Sequence, residues 1–110
     1  MAGGRAHKYR AVRTECGAGH SHPSKAEARR CDELHLLQRA GQIHNLEREV
    51  AFPVHVNGIK VFTYRGDFAY FNDKERVVED VKGVLTPVYR LKKKLVEAYY
   101  QGVKIVEVRG

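Results

Sequence analysis

No stretch of this chain is apolar for long enough to cross a bilayer as a helix. The segment from Met1 to Arg10 is polar and basic, with no hydrophobic run behind it, which argues against a secretory signal and predicts a cytosolic protein. Cysteine is scarce. Cys16 and Cys31 stand alone, too few for a disulfide framework, and Cys31 falls inside a predicted helix, where it reads as a small core residue. Internal repeats and long low-complexity segments are also missing. Acidic residues are the minority charge, 13 Asp and Glu against 20 Lys and Arg, for a net charge of +7. Such a balance favours a polyanionic partner through phosphate neutralisation and counterion release. An anionic membrane surface is disfavoured, because no helix pairs a basic face with a bulky apolar one.

What remains is enough for one domain with a modest core in 110 residues. Residues 1–12 read as a flexible basic arm and residues 13–110 as the single domain. Residues 13–22, with Gly17, Gly19 and two histidines, predict a loop or short hairpin. Ser24-Lys25-Ala26-Glu27 is a capping-box start for a helix running to about Ala40, with Gly41 just past its end. Glu27, Cys31 and Leu34 share one face of that helix. A valine-rich strand over 47–56 leads to Asn57-Gly58, a two-residue hairpin turn. A second strand runs from Ile59 to Phe71, a turn spans Asn72 to Glu75, and a third strand runs from Arg76 to Lys82. Thr86-Pro87 caps a second helix extending to about Gln101, stopped by Gly102. Val103 to Val108 alternates as a last strand, placed parallel beside the third by the usual strand-helix-strand rule. The order α-β-β-β-α-β describes an α/β fold with a mixed sheet flanked by helices.

Two strands carry acids where apolar residues are expected. Pairing Asn72 with Glu75 sets Asp67 directly opposite Asp80 on one face, with Lys82 one step along that face. Two carboxylates that close repel each other, and a bound cation is the simplest reason for a fold to keep them. Mg²⁺ (or Mn²⁺) takes oxygen ligands, polarises a phosphate and lowers the pKa of a bound water; Lys82 is placed to orient that water. The plainer alternative is a solvated sheet end with Lys82 pairing the acids, but the valines around Asp80 point to a buried strand. Glu79 faces away from Asp80 and reads as a surface or pairing residue.

These residues resemble the PD-(D/E)xK nuclease superfamily. More narrowly, the Ser-Lys-x-Glu helix start, the strand Tyr64-Arg65-Gly66-Asp67-Phe68-Ala69-Tyr70 and the strand Glu79-Asp80-Val81-Lys82-Gly83 resemble small phage-encoded nucleases similar to Holliday-junction resolvases. The resemblance covers about residues 8 to 108. It implies a restriction-endonuclease-like core, Asp67 and Asp80 as metal-binding acids, Lys82 as the catalytic lysine, and Glu27 as an added metal-linked glutamate. Gly66 stands where the superfamily's naming proline would be. The residues alone leave Glu27 open between that role and closing the capping box with Ser24. The resemblance further implies a Mg²⁺-dependent endonuclease leaving 5′-phosphates, a branched DNA substrate such as a recombination intermediate, a homodimer, and a phage-infected or prophage-carrying host cell. The rival reading is a basic module that binds nucleic acid without chemistry.

Arg90, Lys92, Lys93 and Lys94 on the second helix, beside its apolar stripe of Val88, Leu91, Leu95 and Tyr99, are candidates for phosphate contacts. So are Arg29 and Arg30, and the arm residues Arg5, Lys8 and Arg10 with Arg13. Tyr64, Phe68 and Tyr70 are placed on one strand face, opposite Asp67, as core. Cys16, His20, His22 and Cys31 invite a zinc reading, but C-x3-H-x-H-x8-C matches no common zinc module and Cys31 reads as buried in the first helix, so structural zinc is the minority reading and their role stays open. His35, His44 and His55 form no recognisable pair.

Overall fold

The computed structural model describes residues 14–22, 24–82 and 84–109. The basic arm, including Arg5, Lys8, Arg10 and Arg13, lies outside them. A small hairpin of β1 (Thr14–Glu15) and β2 (Ser21–His22) comes first, followed by α1 (Lys25–Arg39). The main sheet holds β3 (His44–Val56), β4 (Ile59–Asn72), β5 (Glu75–Lys82) and, after α2 (Pro87–Tyr99), β6 (Val103–Arg109). Its spatial order is β3-β4-β5-β6, antiparallel twice and then parallel. This is an α/β fold with the expected α-βββ-α-β order and a mixed four-stranded sheet.

Local chemistry sets the boundaries. The Ser24 hydroxyl accepts the Glu27 N–H at 3.1 Å and starts α1, and Gly41, at φ 79°, ends it in a left-handed turn. Asn57 and Gly58 both take positive φ, 52° and 80°, as a tight hairpin turn requires. Thr86 accepts the Tyr89 N–H at 3.1 Å, and Pro87 occupies the first turn of α2, where its missing N–H costs nothing.

Alternate strand residues feed separate cores. Phe68, Tyr70 and Val77 pack under α1 with Ala28, Cys31 and Leu34. Ala69, Val78 and Ile105 pack under α2 with Tyr89 and Val96. Fully burying one such aliphatic or aromatic side chain contributes about 1.5–3 kcal/mol.

The β3–β4 hairpin breaks this alternation midway. Leu46 and Phe68 lie on the α1 side, yet Val50 and Tyr64, also even-numbered, lie on the α2 side. The switch falls where Glu49 takes φ 52°, between the pairs Arg48–Phe68 and Val50–Gly66, with Asp67 across from it. The expectation that Tyr64, Phe68 and Tyr70 share a face is therefore corrected: the kink carries Tyr64 to the opposite layer. Gly66 sits at the same place because a Cβ there would lie 2.3 Å from Val78 Cγ1.

The outward face of α2 is the other departure. Val88, Leu91, Leu95 and Tyr99 do form a stripe, but all four are exposed, and Tyr89 and Val96 are the residues buried instead. The helix is rotated by polar ties at its inner face. Tyr89 Oη and Lys93 Nζ both donate to Glu107 Oε2 of β6, at 2.6 and 2.8 Å, and the Tyr100 hydroxyl donates to the Pro53 carbonyl.

Candidate functional site

The observed β4–β5 register runs from Asn72–Glu75 to Phe68–Glu79. The ladder stops one step short of Asp67 and Asp80, the pair the sequence sets opposite each other. At that step the backbone ladder gives way to a side chain: Asp67 Oδ2 accepts the Val81 N–H at 2.7 Å. The kinked strand has opened there, and Asp67 lies in the gap, half-buried.

Asp80 is buried, 3% exposed. The Tyr64 hydroxyl, delivered by the kink, donates to Asp80 Oδ2. Burial pushes the Asp80 carboxyl up to about 6, reinforced by the charge of Asp67 and opposed by the Tyr64 hydroxyl and the Lys82 ammonium. Burial and the same contact with Asp80 raise the Tyr64 phenol, so it stays a donor. Lys82 Nζ rests 4.5 Å from the centre of the Tyr89 ring, a cation–π contact that steadies it near Asp80.

Glu27 approaches from α1. Its backbone N–H completes the Ser24 cap, but its carboxylate is turned to His22, with Oε2 2.7 Å from Nδ1. Burial raises the Glu27 pKa, opposed by the hydrogen bond to His22 and reinforced by the charges of Asp67 and Glu49. Glu27 is thus more than a cap, since its carboxylate is buried within the field of Asp67. Asp67 is the common neighbour, felt by Glu27 and by Asp80.

Glu79 is buried, 2% exposed, and serves as a pairing residue rather than a surface one. Both of its oxygens take the Arg30 guanidinium at 2.7 Å, and Oε2 also accepts the Tyr70 hydroxyl at 2.5 Å. Arg30 holds Glu33 as well, at 3.0 Å, so its donors are largely committed within the chain. Lys93 is tied to Glu107, and Lys92 lies 5.5 Å from the Phe62 ring centre. Arg29, Arg90 and Lys94 are exposed. A groove of about 270 Å³ is lined by Arg65, Lys82 and Lys92 among others, with Tyr89 and Tyr64, the partner of Asp80, in its wall. Arg65 was not singled out by sequence; its only signal was its place beside Asp67 in the acidic strand.

A second cluster lies on the other side of Glu27. The donor atoms of Cys16, His20, His22 and Cys31 all fall within 4.8 Å of one another, and together they can hold a metal ion. The spacing matches no common zinc module and gave no sign that the four donors meet. The unusual spacing arises because three donors come from the β1–β2 hairpin and the fourth from α1. His35, without an assigned role in the sequence, lies near His20 with ring centres 5.6 Å apart and the rings tilted at 47°.

No curated protein and no solved structure matches the chain. A family model matches residues 6–109, nearly its whole length. The chain therefore belongs to the family described as "Protein of unknown function (DUF1064)".

Proposed function

We propose that the protein is a metal-dependent DNA endonuclease of the PD-(D/E)xK kind, acting on branched DNA such as a recombination intermediate. The observation that carries the reading is the meeting of buried Asp80 with Asp67 at the kinked β4–β5 seam, with Lys82 beside Asp80 and Glu27 within the field of Asp67 from the α1 side. A buried carboxylate raised to about 6 next to a second carboxylate is an arrangement that a hard cation relieves. The donors offered are all oxygens, which suits Mg²⁺ or Mn²⁺. When bound, such an ion neutralises phosphate charge and makes a water a stronger nucleophile at neutral pH.

Each residue then has a definite task. Asp67 and Asp80 hold the cation, and Glu27 adds a carboxylate from the α1 side. The Tyr64 hydroxyl occupies one Asp80 oxygen and fixes the orientation of the other. Lys82, held over Tyr89, stabilises charge developing on the phosphate or steers the attacking water. The groove with Arg65 and Lys92 receives the neighbouring backbone phosphates, and exposed Arg29, Arg90 and Lys94 extend the basic surface. Cutting both strands of a junction needs two such sites, and the exposed apolar row on α2 is a surface on which a second copy can pack.

The test is incubation of the purified chain with a labelled four-way junction, linear duplex, single strands and RNA, with Mg²⁺ or without it. The reading expects Mg²⁺-dependent cutting that favours the junction and leaves 5′-phosphates. Binding to DNA with no cutting of any substrate would favour the binding-module alternative.

A further inference from the structure

We propose that Cys16, His20, His22 and Cys31 form a closed, four-coordinate structural zinc site that staples the β1–β2 hairpin to α1, with Glu27 orienting His22 as a ligand.

The donor geometry fits a small tetrahedral ion. Zinc bond lengths to nitrogen and sulfur place neighbouring ligand atoms ~3.4–3.8 Å apart in a tetrahedron. Cys31 Sγ lies 3.6 Å from His20 Nδ1, inside that range. The two sulfurs, at 3.1 Å, stand closer than that and must open by about 0.7 Å to share a zinc ion. Two soft thiolates with two imidazoles are a donor set for Zn²⁺, and oxygen-seeking Mg²⁺ is a poor match for it.

His22 supplies an independent observation. Its side chain is fully buried, and its Nε2 is the buried side-chain polar atom that finds no hydrogen-bond partner among the described residues. Such an orphan is costly unless something meets it. The other ring nitrogen faces Glu27 Oε2 at 2.7 Å. An ionised carboxylate only accepts, so Nδ1 carries the proton and Nε2 presents its lone pair to the cluster. A carboxylate behind a ligating histidine is the arrangement that fixes the tautomer and raises ligand basicity.

The hairpin also needs the staple. Its strands are two residues each, far below what holds a ribbon together in water. Its turn is closed by Cys16 N–H to His20 O and Gly19 N–H to Cys16 O, both at 2.9 Å, which brings Cys16 and His20 together. The Gly17 N–H donates to Asp32 of α1 at 2.5 Å, tying the same turn to the helix that carries Cys31. Three donors are buried and the fourth is partly so, leaving no position that calls for substrate. The metal site stands without the hydrolytic reading; only the consequence that zinc loading sets the position of Glu27 beside Asp67 rests on it.

The full chain, purified under reducing conditions without chelator, is expected to carry one zinc per chain by elemental analysis. After removal of the metal, Co²⁺ titration should give the intense d–d bands of tetrahedral cobalt with thiolate charge transfer, displaced by Zn²⁺. Because Cys31 is buried, the informative ligand variant is His20→Gln, which should keep the helical and strand signal by circular dichroism and lose the tetrahedral spectrum. Glu27→Gln should keep the spectrum and weaken zinc affinity by about 10–100-fold. A folded, reduced wild-type chain with neither zinc nor a tetrahedral cobalt spectrum overturns the proposal, as does a Cys16–Cys31 disulfide in the protein so isolated. A chain that binds zinc as expected yet cuts no DNA removes the hydrolytic reading and leaves this one standing.

Discussion

At the scale of single residues, the account turns on what burial does to charge. Asp80 lies under the Tyr64 hydroxyl with Asp67 at its side, and its pKa is lifted to about 6 from an ordinary carboxyl value. For an acid raised in this way the fold binds the proton more tightly than the unfolded chain does. Its contribution to stability therefore falls as pH rises from about 4 through about 6, where the folded carboxyl ionises. A divalent cation bound by the same carboxylates should act in the opposite sense. Thermal unfolding is expected to show little stabilisation by Mg²⁺ at pH 4 and clear stabilisation above pH 7, and Asp80→Asn should remove the difference. In cleavage assays Asp80→Asn should lower the rate by at least about 10²-fold with DNA binding retained, and Lys82→Ala by about 10²–10³-fold, as expected when a group serving only the transition state is lost. Gly66 tests the kink itself. Gly66→Ala forces a Cβ onto the buried Val78 side chain and should cost about 1–3 kcal/mol in denaturant unfolding.

At the scale of elements, what the sequence announces and what it hides differ for physical reasons. The limits of α1 and α2 were legible because Ser24, Gly41, Thr86 and Pro87 each do something at a helix end that few residues can do. The order of the strands was legible because Asn57-Gly58 and the short turn after Asn72 mark two hairpins, though β3–β4 shifts register at Val54–His55 and at His44–Glu47. Alternation, however, assumes an unbroken pleat, and Glu49 at positive φ carries no sequence warning that the faces will exchange. Tyr64 therefore lies in the layer opposite to the one alternation predicts, where it meets Asp80. The buried face of α2 was hidden because apolarity alone does not set a helix's rotation; the shared grip of Tyr89 and Lys93 on Glu107 does. Glu79 illustrates the same limit, since its partner Arg30 is 49 positions away in sequence. That pair carries its own prediction. Arg30→Ala leaves Glu79 buried with one neutral donor and should destabilise the fold by about 3 kcal/mol, an effect read by urea denaturation and reduced in the double variant with Glu79→Gln.

At the scale of the whole molecule, α1 stands between two polar centres. Glu27 faces His22 and the Cys/His cluster on one side and the field of Asp67 on the other, so the hairpin, the helix and the sheet seam meet at one side chain. The opposite layer presents Val88, Leu91, Leu95 and Tyr99 to solvent, from 42% to 62% exposed, more apolar surface than a solitary helix face usually keeps. If a second copy covers it, sedimentation of the wild type should give a dimer, and Leu91→Lys should give a folded monomer with sharply reduced cutting of four-way junctions. Most of the claim rests on Asp67 and Asp80 sharing one cation. It is tested most directly by a crystal grown with Mn²⁺ and measured for anomalous scattering. The account predicts a peak ~2.0–2.3 Å from oxygens of both Asp67 and Asp80, with Glu27 beside it. A map with manganese elsewhere, or with those carboxylates turned apart and no ion between them, would contradict it.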